Sequence, residues 1–158
     1  MRRQDKRLRN NAQVAALLAE QTIGRLGTSG PDGPMIKPVN FVYMDEAFYF
    51  HGALEGEKME HIQTDPRVVF QVERVLNYIP ANDKPCNATQ AYECLIARGK
   101  AVIVEDPDLK LRALNALMAK HQPQGGYKPL AARDAATVAV VRIDVESMTA
   151  KVSPKPAG

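Results

Sequence analysis

Between Gly33 and Phe70 the chain reads GPMIKPVNFVYMDEAFYFHGALEGEKMEHIQTDPRVVF, a segment that permits few local structures. From Met35 to Met44, Val39, Phe41 and Tyr43 alternate with smaller or polar neighbours, the period of a strand. Asp45-Glu46 then makes a two-residue turn into a second strand from Phe48 to His51. If Met44 faces Ala47, the numbers of facing residues keep a constant sum, and Asn40 falls opposite His51 on one face. After the hairpin, His51-Gly52-Ala53 leads through Gly56 into a short helix with Met59 and Ile62 three apart, which Pro66 ends.

Lys58 stands in the first turn of that helix. The free N–H groups of a helix start already carry partial positive charge, so a lysine is badly placed there by itself and well placed beside an anion. Two readings stay open for it: a solvated lysine paired with Glu55 or Glu57, or a cation that helps the helix start hold a phosphate. Glu55 and Glu57 follow the ordinary rule of acidic residues at this end.

The runs KPVNFVY, FYFHGA, EGEKMEHI and DPRVVF, with YECLIARGKAVIVED from Tyr92 to Asp106, resemble the flavin-binding split-barrel superfamily. Within it they are similar to the pyridoxamine 5'-phosphate oxidase-like proteins of the nitroimidazole-resistance group, and the likeness extends over most of the chain. The resemblance implies a homodimer with flavin mononucleotide (FMN) at the subunit interface. It places Lys37, Pro38, Val39 and Asn40 along the flavin, Gly52 in the turn and Lys58 at the phosphate, and it matches His51 to a histidine typical of the nitroimidazole-resistance group. The chain departs from pyridoxamine phosphate oxidases in three places. Glu57-Lys58 replaces an arginine-lysine pair, Asn40 stands where those enzymes have a basic residue, and Lys151 to Gly158 contains no counterpart of their basic substrate-binding segment. Oxidation of a vitamin B6 phosphate is therefore not expected. Lys37, or a partner subunit's residue at position 25 or 100, is a candidate for the missing charge.

At 158 residues with 45% hydrophobic and 25% charged residues, the chain reads as one soluble domain with a real core. The net charge of +3 is small and concentrated in Arg2, Arg3, Lys6 and Arg7, within a tail over residues 1–9. No stripe of basic and aromatic residues follows it, so nucleic acid is not an expected partner. No apolar run approaches the roughly 20 residues that span a membrane, and no secretion signal is apparent, so a cytoplasmic protein is expected. Cys86 and Cys94 suggest no disulfide framework, and Cys94 reads as a small buried hydrophobe. His51, His61 and His121 lie on three different elements without metal-ligand spacing, so no metal is expected.

Elsewhere the pattern is mainly β. A helix is expected from Asn11 to Gln21 with Asn10 or Asn11 as cap, a strand from Thr22 to Thr28, a turn from Ser29 to Pro34, and a strand from Arg67 to Val75. Leu76 to Gln90 reads as a long ordered loop that could shape a substrate pocket, and Tyr92 to Glu105 as a long strand bent at Gly99. Asp106 and Pro107 start a helix with an apolar stripe of Leu111, Leu114, Leu117 and Met118. His121 to Ala136 reads as the mobile loop, and Thr137 to Lys151 as the last strand. About six antiparallel strands with inserted helices make a split β-barrel, and the gaps between the first strands are too short for crossover helices.

On this reading the cofactor carries the redox chemistry. His51 has two possible parts: to contact the cofactor or pass a proton to a nitro group or carbonyl, or only to be satisfied by Asn40 across the hairpin. Tyr43 and Tyr49 read as core residues with hydrogen-bonded hydroxyls. The expected activity is reduction of a small organic substrate such as a nitroimidazole or quinone. A flavin carrier or sensor without turnover, and a haem- or deazaflavin-binding relative, are the alternatives.

Overall fold

A computed structural model describes residues 11–153; the basic cluster of Arg2 to Arg7, the 1–9 tail and the Asn10 cap lie outside the described residues. Six antiparallel strands close into a barrel in the order β1-β2-β3-β6-β5-β4. They are β1 (Ile23–Gly30), β2 (Gly33–Met44), β3 (Ala47–Gly52), β4 (Arg67–Ile79), β5 (Thr89–Ile103) and β6 (Ala139–Ser153). The helices are α1 (Asn11–Glu20), α2 (Glu57–Thr64), α3 (Pro107–His121) and α4 (Ala132–Ala136).

The alternation read from the sequence is the alternation of burial. Val68, Phe70 and Val72 of β4 point into the barrel with Leu26, Phe41, Phe48, Phe50 and Leu95, all at most 4% exposed. Four rings make the centre: Phe48 lies tilted against Phe70 at 4.7 Å and against Tyr43 at 4.8 Å, and Phe41 meets Phe70 edge-on at 5.3 Å. The other face of β3 is also covered. Ala47 and Tyr49 pack against Ala113, Leu114 and Leu117 of α3 and Ala135 of α4, which explains why β3 shows an almost continuous apolar run.

The hairpin has the expected register, from Met44↔Ala47 to Phe41↔Phe50. Asp45 and Glu46 both take positive φ, 50° and 60°, the backbone of a two-residue turn whose twist suits the strands it joins. The Asp45 carboxylate accepts from Arg112 on α3 at 2.9 Å, tying the turn to the helix. The ladder stops one step before Asn40 and His51. Asn40 instead pairs with Ile23 of β1, and His51 with Val140 of β6. β2 and β3 thus part between Asn40 and Phe41, and this opens the barrel at one corner.

Gly99 marks the bend it was expected to mark: the β5–β6 register shifts between Arg98 and Gly99. A Cβ there would collide with the Asp144 carbonyl oxygen, so the close approach of β6 at the bulge requires glycine.

Three expectations are corrected. The segment from Leu76 to Gln90 is mostly not loop: β4 runs on to Ile79, β5 begins at Thr89, and Tyr78↔Gln90 and Ile79↔Thr89 pair past a bulge, leaving a short turn with a single 3-10 turn at Pro85–Asn87. Prolines and asparagines at the tip masked strand residues whose apolar side chains, Val75, Leu76 and Tyr78, are exposed. The buried face of α3 is Ala113, Leu114 and Leu117; Leu111 is only partly buried, because the helix turns its 113–117 side to β3. Finally, His121 is the last residue of α3, and the following segment contains α4.

Candidate functional site

Where β2 and β3 part, the edge of β2 from Lys37 to Asn40 that faces β3 has no strand partner among the described residues, while its other edge pairs with β1. Backbone groups along that edge are open to a ligand. At one end of it lies a recess of about 260 Å³ lined by Lys37, Pro38, Ala53, Glu55, Gly56, Glu57 and Lys58.

The start of α2 forms the floor of this recess. Its cap is Gly56, at φ 114°, which supplies no side-chain hydrogen bond to the helix amides. Met59 and Glu60 donate to the Gly56 carbonyl, whereas the Glu57 and Lys58 N–H groups lie at the helix end with no carbonyl before them to accept. Lys58 folds back over the hairpin. Its ammonium lies 5.1 Å from the centre of the Phe50 ring, and a Cβ on Gly52 would approach it to 2.8 Å. Lys58 is not paired with Glu55 or Glu57; the ion pair formed here is Lys37 with Glu57, at 4.0 Å and half-exposed. Burial, and then the charge of Lys37, push the Lys58 ammonium below the ordinary lysine value. An anion bound between the two lysines would relieve both their mutual repulsion and the cost of burying the charge.

The structure therefore brings Lys37, Pro38, Gly52 and Lys58 to one place and sets Val39, Asn40 and His51 beside it. Val39 points its side chain inward, 9% exposed, so only its backbone faces the cleft. Asn40 and His51 are exposed, and no hydrogen bond joins them, so His51 is not satisfied by Asn40. Burial, Lys58 and His121, in that order, push the His51 imidazole below the usual histidine value. Arg25 and Lys100 are engaged elsewhere, with Glu73 at 2.5 Å and Glu146 at 3.7 Å.

The residues fit a phosphate: two lysines, two free amides, and a turn in which Gly52 leaves space for an ammonium. They fit it without excess charge, since Glu55 and Glu57 balance the two lysines and the helix amides must contribute. The recess is smaller than the roughly 300–1,000 Å³ of a typical small-molecule pocket, so it suits the phosphate end of a larger ligand.

Sequence reasoning did not single out His121 for this site. It arrives from the end of α3 and places Nε2 3.2 Å from the Phe41 carbonyl, 80 residues away along the chain. No local signal marks it.

Residues 10–152 match the family model for pyridoxamine 5'-phosphate oxidase. The chain belongs to this family. No curated protein matches the chain in sequence. Solved structures of the same fold include a candidate 5-nitroimidazole antibiotic resistance protein of Bacteroides thetaiotaomicron, 23% identical with a TM-score of 0.77 over 92% of this chain and 86% of that one. The flavocytochrome Anf3 of Azotobacter vinelandii is 17% identical with a TM-score of 0.85 over 99% of this chain and 73% of the other. A FAD and haem binding protein of Mycobacterium smegmatis is 13% identical with a TM-score of 0.84 over 95% and 74%. At these identities the shared property is the fold, which confirms the split barrel. Among the described residues, no helix is long and apolar enough to cross a membrane.

Proposed function

We propose that this member of the family binds FMN and uses it to reduce a small organic substrate such as a nitroimidazole or quinone. The observation that carries the reading is the unpaired β2 edge ending in the uncapped start of α2, with the Lys58 ammonium held over the Gly52 turn. Lys58, Lys37 and the Glu57 and Lys58 amides hold the phosphate, and the backbone from Lys37 to Asn40 lies along the ring system. Bound there, the flavin supplies hydride or single electrons. His51, exposed at the far side of Gly52, donates the accompanying proton as imidazolium or accepts one as neutral imidazole, and burial, Lys58 and His121 make it the stronger acid.

One chain leaves such a ligand half uncovered, so the reading includes a homodimer. Supporting it, Ile36 and Val69 flank Gly27 on the outer face of the barrel and are 70% and 39% exposed, an apolar strip across three strands. FAD or haem in place of FMN is a second reading, favoured by the Azotobacter and Mycobacterium neighbours.

The absorption spectrum of the purified protein and identification of the heat-released chromophore test these readings. Flavin bands with FMN in the supernatant support the first, FAD or a Soret band the second, and a colourless protein that fails to take up added FMN, FAD or haem overturns both. Anaerobic reduction followed by a nitroimidazole or quinone separates an enzyme from a carrier.

A further inference from the structure

His121 is the last residue of α3, and α3 packs on β2, β3 and β6, the strands around the open corner. A carbonyl oxygen only accepts, so His121 Nε2 carries a proton and donates it to the Phe41 carbonyl at 3.2 Å. Phe41 is the residue at which β2 leaves β3, facing Phe50, the neighbour of His51. His121 therefore sits at the point where β2 and β3 part, one residue from Asn40 along one strand and one from His51 along the other. Among the described residues no hydrogen bond engages its second nitrogen, Nδ1, and the residue is only partly buried. The ring is thus anchored through one nitrogen and open at the other.

We propose that His121 is a positioning residue of this site: it holds the parted end of β2 and sets a second imidazole against His51 beside the cleft. The proposal rests on the flavin reading only for the identity of the substrate. Two electrostatic neighbours act on His51, Lys58 from α2 and His121 from α3, after burial itself. On β3's other side the facing residue, Val140 of β6, is apolar, and on β2 the charged residue nearest the corner is Lys37. Lys120, next to His121, adds a further cation on α3. Burial, Lys58 and His121, in that order, oppose a proton on His51, and no carboxylate stands among these influences. A substrate oxygen that gains negative charge on reduction, as in a nitro group or quinone, would receive a proton from such a pair more readily than from a lone exposed histidine.

Two variants separate this role from simple packing. His121→Gln keeps an N–H that reaches the Phe41 carbonyl but removes the imidazole; His121→Ala removes both. The first measurement is an NMR titration of the His51 ring in protein without flavin, and the midpoint is expected to move upward in both variants. The second is single-turnover reduction of a 5-nitroimidazole by flavin-loaded, pre-reduced protein across pH. His121→Gln should displace the pH profile in the same direction, and His121→Ala should in addition slow the reaction on the order of 100-fold through misplacement at the strand end. A His51 midpoint unchanged in both variants overturns the proposal. So does a His121→Gln protein with the wild-type midpoint and pH profile, which would make His121 a strand clamp alone. The titration reads out whether or not the protein binds flavin, so failure of the flavin reading stays distinct from failure of this one.

Discussion

The ammonium of Lys58 occupies the space a side chain at Gly52 would need: a Cβ there would lie 2.8 Å from Nζ. Turn and lysine therefore work as a pair. A charge-assisted hydrogen bond contributes roughly 1.5–3 kcal/mol, so Lys58→Ala should weaken FMN binding about 10- to 150-fold without unfolding the protein. Gly52→Ala should weaken it too, by displacing the flexible end of Lys58, with little change in stability. Flavin titrations of both variants beside a thermal melt check this; unchanged affinities would remove the pair from the site.

His51→Gln keeps a polar side chain at the exposed end of β3. The variant should bind FMN normally and reduce a nitroimidazole or quinone more slowly, by a factor on the order of 100 to 10,000 if proton delivery is lost. Equal single-turnover rates for fully loaded, pre-reduced wild type and variant would return His51 to a structural part.

At Gly99 the neighbour a new side chain meets is the backbone of Asp144, which cannot rotate away. Gly99→Ala should cost about 1–3 kcal/mol, the usual range for forcing atoms into a packed site, and loosen β5 from β6 at the bulge. Urea unfolding measures the cost. A midpoint equal to wild type would show that the bulge tolerates a side chain.

Lys120 donates to the Leu18 carbonyl at 2.8 Å and lies 3.7 Å over the Phe41 ring, and burial pushes its ammonium down to about 8. The folded state releases this proton near pH 8 while the unfolded chain keeps it to about pH 10.5, so the unfolded state binds more protons between those values. Stability relative to Lys120→Met should therefore rise with pH across that window, and the cost of the buried charge should be complete below it. Denaturant titrations of both proteins at several pH values test the sign; parallel curves would contradict it.

The elements themselves were legible along the chain. Alternation at Val68, Phe70 and Val72, the Asp45-Glu46 turn, the Asp106-Pro107 helix start and the bend at Gly99 are local events, set by side-chain period, φ preference and capping within a few residues, and each stands where the sequence placed it. Lys58 in the first turn of a helix after a glycine was likewise readable, because the helix dipole acts over one turn. The β4–β5 hairpin was misread for a related reason: turn-forming residues at its tip look the same whether they end two strands early or late, and only cross-strand pairing of Tyr78 with Gln90 distinguishes the two. The freed edge of β2 before Phe41 depends on where β3 leaves β2, since β3 goes on beside β6 while β2 goes on beside β1. His121 reaches Phe41 only once 80 residues of barrel have closed. Such contacts follow from loop closure and packing between distant segments, for which no short stretch of sequence carries a period or a cap. The sequence by itself thus determined most of the strands, the turns and the glycine-led helix start with its lysine; tertiary structure alone decided which strand edge stays open and that His121 reaches the Phe41 carbonyl beside it.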